Sequence, residues 1–298
     1  MMNKPTLGIT FASLGALGFS FKAVFIKAAY VYGVDAETLL ALRMGYSLPF
    51  FIVMGVVAAR SQPMTLARKD WGMLALLGVL GYYLASYLDF LGLQYISAAL
   101  ERLILFLYPT FVLLLSAVFL KKPITRSAIM PLALCYGGIT IAVVGDGRSA
   151  SGGGQGALLG SALVVASSLA YAIYLMLSGQ IVRRLGSLRV TAYATMVACA
   201  LSLIQFVLIR PLSSLAQPWQ VHALSVCMAI FSTVLPIWLV AEAIRRLGAG
   251  PASMVGSLGP VFTIILAAVI LGEHIGPWQI AGAALVIVGV SRVSRMKA

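Results

Sequence analysis

The sequence predicts an all-α, polytopic membrane protein: ten transmembrane helices arranged as two inverted five-helix repeats. Composition is the first observation behind this. Of 298 residues, 61% are hydrophobic and only 10% charged, with a mean hydropathy of +1.02. A water-soluble domain needs far more surface charge, whereas a bilayer-embedded chain requires this balance. The second is an internal repeat. Residues 98–138 match residues 249–289 without a gap at an offset of 151, with 13 of 41 positions identical. Pro109 falls on Pro260, Phe111 on Phe262, Leu115 on Leu266, Ile124 on Ile275 and Gly138 on Gly289. Agreement at one fixed offset exceeds the chance similarity of two apolar stretches. The third is charge. At the matched loop the first copy reads Lys121-Lys122 and the second Gly272-Glu273. Cytoplasmic loops are rich in Lys and Arg, so the copies are expected to cross the membrane in opposite senses, the arrangement of carriers that work by alternating access.

A membrane helix needs about 20 mainly apolar residues. That length places spans at roughly 7–30, 36–58, 70–92, 95–119, 127–145, 156–180, 190–209, 220–243, 251–271 and 277–293. The longest irregular stretch is expected at Asp146 to Gln155, around Gly152-Gly153-Gly154. The chain therefore divides into a first repeat at 1–148, a Gly-rich linker at 149–155 and a second repeat at 156–298. Five is odd, so the second repeat enters the membrane inverted. With both termini cytoplasmic, the inner segments collect 15 basic residues and the outer ones only Arg148 and Arg210, a strong orientation signal. Tyr30, Tyr32, Trp71, Trp219 and Trp278 lie at span ends, as interfacial aromatics do.

Several function classes drop out. The net charge of +13 is spread over short loops and reads as topology and contact with anionic lipid, not nucleic-acid binding. Cys135, Cys199 and Cys227 are scattered through apolar runs, and His222 and His274 lie near loop ends, so no disulfide framework or metal site is expected. Neither GxxxxGK[ST], HExxH nor GxSxG occurs. The expectation is a protein that is not an enzyme, needs no cofactor, and has the lipid bilayer and a small-molecule substrate as its partners.

The second copy reads Pro260, then Leu271-Gly272-Glu273-His274-Ile275, Gln279, Gly282, Leu285 and Gly289-Val290. This resembles the EamA-type domain of the drug/metabolite transporter superfamily, and chain length, span count and duplicated halves fit it as well. The first copy shares Pro109, Leu120 and Gly138 but departs at Lys121-Lys122-Pro123, and Phe19 stands where the family often has Trp. Within the superfamily the chain is most similar to bacterial amino-acid exporters of the YddG kind. The resemblance implies a secondary transporter exporting amino acids or related metabolites across a bacterial inner membrane, with the fifth and tenth helices peripheral. The alternatives are a passive facilitator on the same fold, or an intramembrane enzyme or scaffold.

Charges inside spans mark candidate sites, because each would cost several kcal/mol against lipid. Lys22, Lys27, Arg43, Arg102, Asp89, Glu101 and Glu242 are in this position. Lys22 and Arg43, roughly 5 Å outside the midplane by helical rise, are candidates to hold a substrate carboxylate. Their structural alternative is an ion pair such as Arg43 with Glu101. Lys27 is expected to snorkel to the outer interface, and Glu242 to pair locally with Arg245 or Arg246. Phe19, Tyr82, Tyr83, Tyr171, Tyr174 and Trp238 are the candidate aromatic wall of a binding cavity, with ordinary interhelical packing as the alternative. Asp89 and Glu101 are candidates for coupling. Pro49, Pro109, Pro236 and Pro260 are expected to interrupt their helices, with the symmetry mates Pro109 and Pro260 as candidate gate elements. Gly156 and Gly160 form a GxxxG pair suited to close packing within the bundle.

Overall fold

The computed structural model describes residues 4–61, 65–119, 126–149, 153–247 and 258–295, which contain helices and no strand. Lipid offers no partner for a free backbone amide, so a chain of this composition satisfies its backbone within helices. In order these are α1 Lys4–Tyr30, α2 Ala36–Ser61, α3 Arg68–Leu77, α4 Ala85–Gly92, α5 Ala98–Leu105, α6 Tyr108–Phe119, α7 Arg126–Ser149, α8 Gly153–Leu185, α9 Ser187–Ile209, α10 Trp219–Ala229, α11 Leu235–Leu247, α12 Gly259–Leu271 and α13 Pro277–Arg295. A π-helical turn, Gly78–Leu84, joins α3 to α4, and a second, Ile230–Val234, joins α10 to α11. Among the described residues, seven segments are long and apolar enough to cross a membrane by length and composition. Three shorter apolar helices, Ile129–Ala142, Gly259–Leu271 and Pro277–Gly289, stand where the fifth, ninth and tenth spans were expected. The first seven residues of that ninth span, 251–257, lie outside the described residues.

The prolines act differently from one another. Pro109 breaks its span into α5 and α6. It has no N–H for the Leu105 carbonyl, and that carbonyl instead accepts the Ser168 hydroxyl of α8 at 3.0 Å. Pro260 does not interrupt a described helix; it is the second residue of α12, where a missing N–H costs nothing. Pro109 is likewise the second residue of α6, and Tyr108 and Gly259, the helix starts, differ by the repeat offset of 151. Pro236 follows directly on the second π-turn, whose wider i→i+5 bonding relieves the ladder ahead of a proline. Pro49, expected to interrupt its helix, lies exposed within a continuous α2.

The linker is shorter than its composition implied. α7 runs on to Ser149 and α8 begins at Gly153, which leaves only 150–152 between them. Asp146 to Ser149 contain no proline, and the first turn of a helix has no intrahelical amide bonds for glycine to weaken.

Loops meet in two groups. Asp35, before α2, pairs with Arg210, after α9, and Glu273, before α13, reaches the start of α5. At the opposite end Asp70 of α3 pairs with Arg184 of α8, and Arg189 of α9 donates to the Ala58 carbonyl of α2 at 3.0 Å, a favourable place for a cation near a helix C-terminus. Glu242 pairs with Arg246 at 2.6 Å one turn on, and Arg246 lies over the Phe11 ring.

α7 and α13 pack chiefly against each other. A Cβ on Gly138 would stand 2.6 Å from the Gly282 carbonyl, and one on Gly289 would stand 2.6 Å from Cys135 Sγ and 2.7 Å from the Pro131 carbonyl. As the contacts climb α7 from Pro131 to Gly138, their partners descend α13 from Gly289 to Gly282, so the two helices are antiparallel. The outward faces carry exposed Ile129, Met130, Trp278 and Ile280. The GxxxG pair also serves the chain's own packing: Gly160 abuts Tyr95, Ile96 and the Gly92 carbonyl.

Seam and surface glycines on α7 should respond oppositely to an added methyl. Gly138→Ala should lower stability in detergent by roughly 1–3 kcal/mol, since backbone faces the new atom. At Gly137 nothing lies within 4 Å of a Cβ, so Gly137→Ala should be neutral or stabilising by about 0.5–1 kcal/mol. Thermal melts of the two variants compare them directly.

Candidate functional site

The charged cluster forms where α1, α4 and α5 converge. Lys22 Nζ lies 2.6 Å from Asp89 Oδ2 and 3.4 Å from Glu101 Oε1. Asp89 is 1% exposed and Glu101 0%. Among the described residues, Asp89 Oδ1 and both Glu101 oxygens have no hydrogen-bond partner, so Glu101 is held by attraction at ion-pair range. One ammonium thus serves two buried carboxylates. Arg102, next in sequence, turns its guanidinium toward α12: a Cβ on Gly259 would stand 2.7 Å from Arg102 Nη2. Its Nε is buried and unbonded.

Arg43 occupies a separate place on α2, 7% exposed. Its Nη2 and Nε lie 3.1 and 3.3 Å from the Thr233 hydroxyl oxygen in the second π-turn, and that hydroxyl donates to the Met228 carbonyl at 3.0 Å. The guanidinium carbon stands 5.5 Å from the centre of the Phe90 ring, a cation–π contact. Its Nη1 is buried without a partner. The pairing considered from sequence, Arg43 with Glu101, is not what forms. Glu101 goes to Lys22, and among the described residues the neutral Thr233 hydroxyl is the only side-chain acceptor bonded to Arg43.

The aromatic candidates separate into two groups. Tyr82 and Tyr174 share a hydroxyl contact at 3.0 Å with rings edge-on at 5.2 Å. Tyr174 stacks on Tyr171 at 5.5 Å, and Tyr171 meets Tyr108 edge-on at 5.3 Å. This chain of rings links the first π-turn through α8 to the break at Pro109, with Tyr174 seated on Gly81. Tyr83 belongs elsewhere: it stacks with Tyr87 at 6.3 Å, and Tyr87 donates to Glu37 at 3.2 Å. Phe19 is half-buried on α1, one turn before Lys22. Trp238 is 53% exposed and packs at 5.9 Å on Phe11, so it faces out of the bundle and away from the charges. Its place after Pro236 suggested an inward position, but the rotation of α11 after the π-turn carries it outward.

Sequence reasoning missed Thr233 and Ser20. Ser20 lies 2.8 Å from the Ala16 carbonyl and 2.9 Å from that of Gly259, tying α1 to the start of α12. A threonine three residues before a proline in an apolar span was the available signal for the first, and nothing in the sequence singled out the second.

Two recesses lie nearby. One of about 580 Å³ opens at the Asp35 end, lined by Lys27, Tyr30, Val34, Asp35 and Gln94, where Lys27 donates to the Leu93 carbonyl at 3.2 Å. The other, about 450 Å³ and apolar, runs between α1 and the second π-turn, past Gly18, Phe231 and Pro236. Neither is lined by Lys22, Arg43, Asp89 or Glu101. In the loop at the first recess, burial raises the Asp35 carboxyl, but hydrogen bonds from the Thr38 amide and hydroxyl, together with Glu37 and the charge of Arg210, outweigh it and hold the group below its ordinary value. That cap therefore stabilises α2 at neutral pH and is lost as pH falls through the lowered value. Among the described residues no group of three or more His, Cys, Asp and Glu is placed to hold a metal.

Known proteins resemble this chain over nearly its whole length. A solved crystal structure superimposes with a TM-score of 0.63 at 17% identity, covering 97% of this chain and 96% of that one, a likeness of fold. The uncharacterized transporter YcbK of Bacillus subtilis is 29% identical over 286 residues, 94% of this chain and 90% of that protein. A probable terminal-alkyne amino-acid exporter of Streptantibioticus cattleyicolor is 27% identical over 265 residues, 89% of this chain and 85% of that protein. The sequence profile of the EamA-like transporter family matches twice, at residues 6–144 and 158–295. Those two matches cover both halves, and the chain belongs to the EamA-like transporter family.

Proposed function

We propose that this chain is a secondary carrier that exports amino acids, or closely related small metabolites, across the bacterial inner membrane. It crosses the membrane ten times, with both termini in the cytoplasm, and works by alternating access between two inverted five-helix repeats. The antiparallel pairing of α7 with its repeat mate α13, about a seam that includes the matched glycines Gly138 and Gly289, supports the inversion. The relative in Streptantibioticus cattleyicolor supports the substrate class.

The observation that carries the substrate reading is the difference between the two buried cations. Lys22 is engaged by two carboxylates. Arg43 is bonded through only one edge of its fork, to a neutral threonine. A guanidinium with a spare edge can take a carboxylate through charge-assisted hydrogen bonds. A carboxylate there would leave the substrate's ammonium to Asp89 and Glu101, whose unbonded oxygens are acceptors. Tyr82, Tyr171 and Tyr174, with Phe19, then line the path of the side chain, and Tyr83 stands apart with Tyr87. A passive facilitator on the same fold would use these groups equally well but would not need its two ends to close in turn.

The two cations should fail in different ways. Arg43→Ala should give folded protein whose export of its amino acid falls about 10–100-fold, the worth of one or two hydrogen bonds to a charged group, with Arg43→Lys intermediate. Lys22→Ala should instead destabilise the fold by about 3–5 kcal/mol, because it strands two buried carboxylates. The triple change Lys22→Met, Asp89→Asn, Glu101→Gln should recover most of that loss. Export assays beside thermal melts read both effects, and wild-type export by folded Arg43→Ala would remove the substrate role of Arg43.

Orientation has its own test. A cysteine at Ser151, a position outside the described residues, should react with a membrane-impermeant maleimide added to intact cells. Reaction only after the cells are opened would reverse the assigned topology.

A further inference from the structure

The carboxylate of Glu273 does unexpected work at the Asp35 end of the bundle. It lies in the loop between α12 and α13, in the second repeat, yet it caps a helix of the first. Oε1 accepts the Ala98 amide at 2.8 Å and Oε2 the Ala99 amide at 3.3 Å. The Leu100 amide goes to the Ser97 hydroxyl at 3.2 Å and the Glu101 amide to the Ser97 carbonyl at 3.0 Å. The first three amides of α5, which have no intrahelical partner, are therefore satisfied, two of them across the repeat boundary, where a negative charge also meets the positive end of the helix.

α5 is one rigid piece of eight residues, from Ala98 to Leu105. Glu273 holds its first residue. Glu101, about 4.5 Å along the axis by helical rise, enters the pair with Lys22. Beyond Leu105 the chain turns at Phe106 and Leu107 before α6. A shift at the charged cluster must move the capped end, and release of the cap frees the cluster.

The sequence of the other repeat does not carry the same pair of residues. At the offset of 151, Glu273 matches Lys122 and Ala98 matches Ala249. These two positions lie outside the described residues, and the comparison is one of sequence. An ammonium has no acceptor for an amide and is repelled by a helix N-terminus. The position that carries the clamp in the second repeat is thus filled, in the sequence of the first, by a cation.

We propose that Glu273 is a latch between the repeats, which keeps the Asp35 end closed and biases the empty carrier toward opening at the opposite end. The inference rests on the alternating-access reading. With the proposed orientation the latched end is the outer one, so the empty exporter waits open to the cytoplasm, where its substrate is. Glu273 acts on the cycle through α5 and is a positioning residue.

The test is a distance. Spin labels on Gln94→Cys and His274→Cys, both exposed in the two loops that the latch joins, are measured by pulsed electron paramagnetic resonance in lipid nanodiscs. The background has Cys135, Cys199 and Cys227 replaced by Ala, and no substrate is added. The parent should show one dominant short distance. Glu273→Ala should raise a longer-distance population about tenfold, equivalent to about 1.4 kcal/mol, with a smaller rise for the uncharged Glu273→Gln. The exchange Glu273→Lys with Lys122→Glu should make the longer distance dominant. A cap of purely local importance would lower the melting temperature and leave the distances unchanged, and that result in folded Glu273→Ala overturns the latch. If Glu273→Ala does not fold, an unshifted distribution in Glu273→Gln overturns it instead. Because the distances are read without substrate, a failed latch leaves the amino-acid reading standing, and a failed amino-acid assay leaves the latch measurable.

Discussion

Two carboxylates on one ammonium, buried among apolar helices, constrain everything near them. Asp89 and Glu101 cannot be left alone in such surroundings, since an unpaired charge there costs several kcal/mol. Lys22 therefore ties α1 to both α4 and α5. That tie is closer to a condition of folding than to a source of extra stability, because much of its attraction offsets desolvation. It also settles the part of the second cation. With the carboxylates committed to Lys22, Arg43 is left with Thr233, a phenyl ring and an unbonded nitrogen.

The irregular backbone lies around these charges. The π-turn Gly78–Leu84 carries Tyr82 and Tyr83, and the π-turn Ile230–Val234 carries Thr233. The break at Pro109 frees the Leu105 carbonyl for Ser168, and Gly259, which starts the helix that carries Pro260, has its carbonyl beside Ser20. Each departure from a regular helix in a bilayer must find replacement partners inside the protein. At Leu105 and Gly259 the replacements are side chains of other helices, and at Met228 the hydroxyl of Thr233, which in turn meets Arg43 of α2. Such places are where helices can change angle at small cost, while the α7–α13 seam, with backbone against backbone at Gly138 and Gly282, has no comparable slack.

Much of the architecture was readable in advance because its signals are periodic or summed over many residues. Helix positions follow from apolar length, and the repeat follows from one constant offset. The role of intramembrane charge in joining helices also followed, since cost alone forces it. Partner choice did not: Lys22 and Arg43 come out at similar depths by helical rise on successive helices, and which of them meets Glu101 depends on how those helices are placed and rotated. Rotation also decided the aromatics. Tyr82 and Tyr83 are adjacent in sequence and point to different neighbours, and Trp238 faces outward beyond a π-turn that shifts the helical phase. Glu273 was visible as part of a family-like Leu-Gly-Glu motif, but its reach to Ala98 joins residues 175 positions apart, which no local pattern reports.

The central claim is that two halves open in turn around a bound solute. Counterflow in proteoliposomes tests it most directly. Vesicles preloaded with unlabelled amino acid and diluted into trace label should accumulate the label transiently above its equilibrium level, because a loaded carrier returns faster than an empty one. Label entry that is indifferent to preloading, across the amino acids the protein passes, would contradict alternating access and leave an open pathway.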